Sequence, residues 1–379
     1  MRPRLVAALA VLLALAACGT EPEPAVPVAT EPVPVGQMAP AADVPAAAVP
    51  LALSDLPVLD PGWEEAPQEL DGLLLAIAHP EQSGGPIRFI AAREDGTVLW
   101  QAERPPSCTG FTLTSDGERT IAVLTDVTAG TETLSETTAS GYDLATGERL
   151  WGPEPVPGPH QGPGAVFAAP APGAAMGETG PRVVLDPATG QVLATEDDGV
   201  AVVGELAGAL LTTAGGELTA SGVHEWSVDL ASLGLEDEPV VLPGVLPPVG
   251  TVLLAERGSS TGVLVDLRTG DRLAADVAAA ARDPLSGTLV TAAAGTVTGL
   301  PEGDEPWQRE VPGARLLAAA NVLAYLQVGD GVQVVNAVTG QDAVAYDDDV
   351  AQPAVPLLVT AGGGTVLDAG GPVLVPARP

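Results

Sequence analysis

A ten-residue phrase recurs along this chain and limits what it can fold into: Tyr142-Asp143-Leu144-Ala145-Thr146-Gly147-Glu148-Arg149-Leu150-Trp151. Tyr142 and Leu144 alternate with polar neighbours, Thr146-Gly147 supplies a tight turn, and Leu150-Trp151 open a return strand. The turn calls for a positive φ, which glycine adopts without strain. Close copies lie at 185–193, 265–273 and 335–341, and looser ones surround Gly96, Gly222 and Gly303. In four copies a Trp follows the turn glycine by four residues: Gly96 and Trp100, Gly147 and Trp151, Gly222 and Trp226, Gly303 and Trp307. The chain holds five Trp, so chance explains the pattern poorly. The turn glycines Gly96, Gly147, Gly190, Gly222, Gly270, Gly303 and Gly340 average about 41 residues apart, the length of one four-stranded repeat.

Seven such units account for the chain between about residues 71 and 346. Three further strand-like runs follow, at 355–360, 364–367 and 372–375, without a fourth. Upstream of the first unit stands an unpaired run, Leu56-Pro57-Val58-Leu59, followed by Trp63. Pairing the two ends closes a ring, places Trp63 in the repeated Trp position and leaves no sheet edge open. The expected fold is therefore all-β: a β-propeller of eight four-stranded blades over residues 55–379, closed by N- and C-terminal strands. Seven blades is the alternative. The third unit is the least regular, because 170–180 reads as a loop.

These residues resemble the repeats of the PQQ-like (quinoprotein-type) β-propeller family, whose signature is an Asp or Asn, a Thr-Gly turn and an outer-strand Trp. The resemblance runs from about Leu56 to the end. It bears on fold more than on function, since one propeller scaffold hosts many activities.

The N-terminus reads as an address. Arg2 and Arg4 precede an apolar run, residues 5–17, which is short for a membrane span. It ends in Leu15-Ala16-Ala17-Cys18-Gly19, which resembles a bacterial lipobox, so residues 1–17 are expected to be removed and Cys18 to carry lipid. An ordinary secretory signal with an incidental Cys is the alternative. Residues 18–54 are rich in Pro, Ala and Glu and read as a disordered tether, spanning on the order of 100 Å if fully extended. The expected location is the outer side of the cell membrane, held through lipid. The bias toward Ala, Gly, Pro, Val and Arg suggests a high-GC, actinobacterial source.

Net charge is −34 at pH 7, which disfavours nucleic acid as a partner. Every cation is Arg. Without Lys there is no Schiff-base chemistry and no Walker-type phosphate loop. His79, His160 and His224 fall in separate units without metal-ligand spacing. Asp347-Asp348-Asp349 lacks the glycine-containing pattern of a calcium loop and reads as a solvated acidic run. Cys108 is expected to be buried and inert. Asp143, Asp186, Asp266 and Asn336, before the turns, are expected to cap backbone donors. The five Trp are expected to pack blade on blade with the indole N–H on backbone. Quinoprotein dehydrogenases of the resembling family carry adjacent cysteines and a Glu, Asn and Asp calcium set; this chain has no adjacent cysteines, and its Asn are Asn321 and Asn336 alone.

The functional expectation is a monomeric, lipid-anchored envelope propeller that binds another protein, with no catalytic residue, metal or cofactor. The alternatives are a quinone- and Ca2+-dependent dehydrogenase-like enzyme working in the central channel, and a cell-wall polysaccharide binder.

Overall fold

The computed structural model describes residues 29–78, 80, 85–108, 110–128, 136–170, 179–242, 248–347, 350 and 352–378. Its strands form eight small antiparallel sheets arranged as a ring. This is an eight-bladed β-propeller.

Blade 1 contains Gln68–Leu70, Leu73–Ala78, Ile87–Arg93 and Thr97–Arg104, from the axis outward. Blades 2, 4, 5 and 6 repeat that four-stranded meander over 111–156, 201–229, 239–277 and 279–310. Blade 3 has three strands, and its innermost position is reduced to a bridge between His160 and Phe167. Blade 7 likewise has three, and its outer position is a bridge between Val335 and Asp342. Blade 8 is Val355–Val359, Thr365–Asp368 and Pro372–Val375, completed by Leu59–Asp60 from the other end of the chain.

Both faces of an interior strand are covered by neighbouring blades, so such strands read as continuous apolar runs. Leu73–Ala78 is buried at all six positions. The core is divided accordingly: one buried cluster lies between each pair of successive blades. Small Val, Ala and Leu side chains let eight sheets pack closely around one axis.

The repeated phrase works as a joint. The carboxylate of Asp143 accepts from Thr146 N, Asp186 from Ala188 N and Thr189 N, and Asp266 from Arg268 N and Thr269 N; the Asn336 amide oxygen accepts from Val338 N and Thr339 N. The turn so held presents one carbonyl to the preceding blade. Trp100 donates its indole N–H to Leu144 O at 2.8 Å, Trp151 to Pro187 O at 2.7 Å, Trp226 to Leu267 O at 2.7 Å and Trp307 to Ala337 O at 2.8 Å. All seven turn glycines have positive φ, between 69° and 100°. Four of them, Gly147, Gly190, Gly270 and Gly340, also lie under a Trp ring of the preceding blade.

The ring closes differently from the simple expectation. Leu59 pairs with Leu374, as the two-ended closure requires. Leu59, not Trp63, covers the turn Gly96 of blade 1 in the place a Trp takes elsewhere. Trp63 is buried one step further along and donates to Ile90 O at 3.2 Å.

The segment expected to be a disordered tether up to residue 54 is instead built into the ring from residue 29 onward. Val33–Gln37 adds a fifth strand to the rim of blade 1, and Ala39–Pro40 adds one to blade 8. Two short 3-10 turns, Ala46–Ala48 and Leu51–Leu53, then stitch blade 7 to blade 8: Leu51 N donates to Ala345 O and Ala354 N to Ala48 O. Val49 and Leu53 are buried there against Leu367, Val373 and Val375. Proline is tolerated because these are edge strands, where a missing N–H faces solvent. The propeller unit therefore starts well before residue 55, and residues 29–60 form a belt over blades 1, 8 and 7.

Candidate functional site

The innermost strand of each blade pairs outward on one side and faces the axis with the other. In blades 6, 7 and 8 these strands are Ala279–Arg282, Arg315–Ala320 and Val355–Val359, each hydrogen-bonded to a single neighbour. They wall a cavity of about 1110 Å3 along the axis. Its walls are aliphatic: Ala279, Ala281, Leu317, Val355, Leu357 and Val359 line it and are partly exposed.

An antiparallel meander sends its first and third turns to one face of the disc and its second turns and blade-to-blade links to the other. Arg282 ends its strand on the first face, where its Nη1 donates to Gly287 O at 2.9 Å. Arg315 begins its strand on the opposite face and donates to Gln327 Oε1 at 2.8 Å. Asp330, Asp347 and Asp368, all exposed, share that second mouth. The channel is thus apolar at its waist; one mouth carries Asp330, Asp347 and Asp368 beside Arg315, and at the other Arg282 is engaged by Gly287 O and, at 3.9 Å, by Glu302.

The titratable groups that depart most from ordinary behaviour serve the joints between blades. Glu205 is fully buried and joins three blades: its carboxylate accepts from Thr114 Oγ1 of blade 2 at 2.6 Å, from Ala165 N of blade 3 at 3.0 Å and from Gly208 N at 2.6 Å. Burial pushes its pKa up, against the pull of those three donors. Arg104, 1% exposed, pairs with Asp126 at 2.8 Å, donates to Tyr142 Oη at 3.1 Å and also holds Thr30 O of the belt. Burial raises the Asp126 carboxyl even with that guanidinium beside it. Glu94, in the outer turn of blade 1, accepts from Thr360 Oγ1 across the seam with blade 8. Glu205, Arg104 and Glu94 were not singled out from sequence: each is a lone charged residue whose partners lie far off along the chain, and no spacing announces them.

His160 sits in the reduced innermost strand of blade 3, with Nε2 donating to Gly164 O at 2.7 Å, and burial pushes its pKa down. Cys108 is buried, is in no disulfide and accepts from Val127 N through Sγ at 3.1 Å. Asn336 is spent on its turn, and Asn321 occupies a left-handed turn position between two strands of blade 7. Cys18, His79, Asp348 and Asp349 lie outside the described residues. Among the described residues, no group of three or more His, Cys, Asp or Glu side chains is arranged to hold a metal ion, and no helix is long and apolar enough to cross a membrane.

No protein-family model matches the chain, and no curated relative does. Solved structures similar to it include one described as "Crystal structure of the eukaryotic initiation factor". That match has 10% identity and a TM-score of 0.33, and covers 77% of this chain and 88% of the other. An overlap that loose carries nothing about activity or partners.

Proposed function

We propose that this protein is a lipid-anchored propeller of the cell envelope that binds another protein as a scaffold module and catalyses no reaction. The observation that carries this reading is how the repeats use their chemical side chains. Asp143, Asp186, Asp266 and Asn336 are consumed in turns, and Trp100, Trp151, Trp226 and Trp307 in blade-to-blade bonds. The result is a stiff disc with two faces and an axial channel, the form in which repeat scaffolds present recognition surfaces.

The anchor rests on the sequence around Cys18. If lipid is attached there, the residues between it and the belt extend no more than about 35 Å at polyproline spacing. The belt then holds the rim of blade 1 close to the membrane. A Cys18→Ser chain should move from the membrane fraction to the soluble fraction and lose incorporation of labelled fatty acid. Fatty-acid labelling that persists in Cys18→Ser removes the anchor. The partner is sought by carboxylate-directed cross-linking on intact cells, because the chain has no Lys for amine reagents. A thermal melt with Ca2+ plus pyrroloquinoline quinone tests the enzymatic alternative: ligand at about 100 times its Kd adds about 2.7 kcal/mol, and a saturable rise of that kind overturns the scaffold reading.

A further inference from the structure

The channel mouths and the unpaired strand edges between them identify what enters the axis. Three neighbouring innermost strands, Ala279–Arg282, Arg315–Ala320 and Val355–Val359, each leave one backbone edge unpaired along the cavity. An acyl chain or a flat aromatic group would leave those N–H and C=O groups unsatisfied, which is costly once water is displaced. An extended polypeptide satisfies one or two of those edges by adding a strand. The side chains between the edges are small and aliphatic, so they accommodate small aliphatic residues; an aromatic ring in the lining, Tyr346, lies beside Asp347 at the second mouth. The chain already accepts added strands of this kind, since Val33–Gln37 docks on the rim of blade 1 by backbone pairing while all five residues stay exposed.

We infer that the axial channel of blades 6 to 8 binds an extended segment of a partner protein, rich in small aliphatic residues, with its basic end at the mouth of Asp330, Asp347 and Asp368, whose three carboxylates outnumber the one guanidinium of Arg315. This rests on the reading of the protein as a binding scaffold and names the site and the chemistry of the partner. A strand rises about 3.3 Å per residue, so about six or seven residues span the six-residue inner strand Arg315–Ala320.

The test uses the chain from residue 19 to its end and a fluorescein-labelled peptide, Lys-Val-Ala-Val-Ala-Val-Glu, read by anisotropy. Saturable binding is expected. It should weaken at least tenfold in Ala281→Trp, which fills the waist, and at least tenfold in the exposed double change Asp330→Lys with Asp368→Lys, which inverts the mouth and leaves the core untouched. A peptide with Glu and Lys exchanged should bind at least tenfold less well. No binding, or equal binding by all these proteins and peptides, overturns the inference. Binding of dodecanoate in place of the peptide overturns it in favour of a lipid site. The cell-surface cross-linking experiment separates this from the scaffold reading. A partner captured equally by the native chain and by Ala281→Trp leaves the scaffold and removes the channel. Capture of no protein by either removes the scaffold itself.

Discussion

At Gly340 two demands fall on one missing atom. Its φ is +69°, and a Cβ there would lie 2.6 Å from the Trp307 ring. Gly303 has a φ of +84° but nothing within 4 Å of a Cβ. The two positions separate backbone strain from packing. Gly303→Ala should cost about 1–2 kcal/mol, the price of a left-handed L-residue. Gly340→Ala adds overpacking of about 1–3 kcal/mol, and paired denaturant melts read the difference directly. The partner of such a glycine is tested by Trp100→Phe. The ring stays aromatic and apolar, but Leu144 O loses its indole donor in a fully buried site. A loss of about 1–3 kcal/mol is expected for that unsatisfied acceptor; an unchanged midpoint would show that the bond at this joint contributes nothing net.

At the level of elements, the belt is where sequence reading and structure part. The blades were legible because their turns demand glycine at a fixed interval and their interior strands are apolar on both faces. Eight blades and the closing pair of ends followed from counting those signals. Residues 33–53 carry no such signal. Val33, Pro34 and Val35 look like a spacer, because an edge strand that buries no side chains leaves its pairing with the Gln101, Trp100 and Val98 backbone unmarked in the composition. Gln68–Leu70 and Pro239–Val241 are hidden in the sequence for a related reason: three-residue strands are too short to show alternation. A chain cut to begin at residue 55 should melt well below one that begins at residue 29, and aggregate through the uncovered Leu367, Val373 and Val375 surface. Gly36 is the finer probe. Its φ of +132° meets open space, so Gly36→Ala should loosen the first belt strand alone, seen as faster amide exchange in Thr97–Arg104 with the remaining blades unchanged.

Over the whole molecule, charge and burial act in the same direction. Glu69, Asp126 and Glu205 all have raised pKa values, with burial the leading cause in each. A carboxyl raised on folding favours the native state fully below its unfolded pKa, and that contribution is lost as pH rises through the folded value. Asp116 and Asp342 shift the other way and take part only at lower pH, while buried His160, its pKa pushed down from 6.5, opposes the trend by losing stability as pH falls through that value, one group against three. With −34 of net charge at neutrality adding self-repulsion, the melting midpoint should be higher near pH 5 than near pH 8. Glu205→Gln cannot ionise and should flatten part of that slope; a profile rising toward pH 8 would contradict the account. The channel was less legible than the ring. Ala279, Leu317 and Leu357 reveal an axial wall only once blades 6, 7 and 8 are placed side by side, whereas Trp and Thr-Gly are marked within a single repeat.

The seam at Leu59 and Leu374 has a consequence for how the chain is made. The strand that closes the ring, Leu59–Asp60, precedes the meander of blade 1 in the chain, and its mate Pro372–Val375 follows all seven other blades. Until Pro372–Val375 arrives, seven blades stand as an open arc with an unfilled sheet edge at one end and an idle belt at the other. Closure therefore waits on Pro372–Val375, and a nascent chain stalled before that strand would be an unclosed spiral, sticky along one border and a natural substrate for chaperones and proteases.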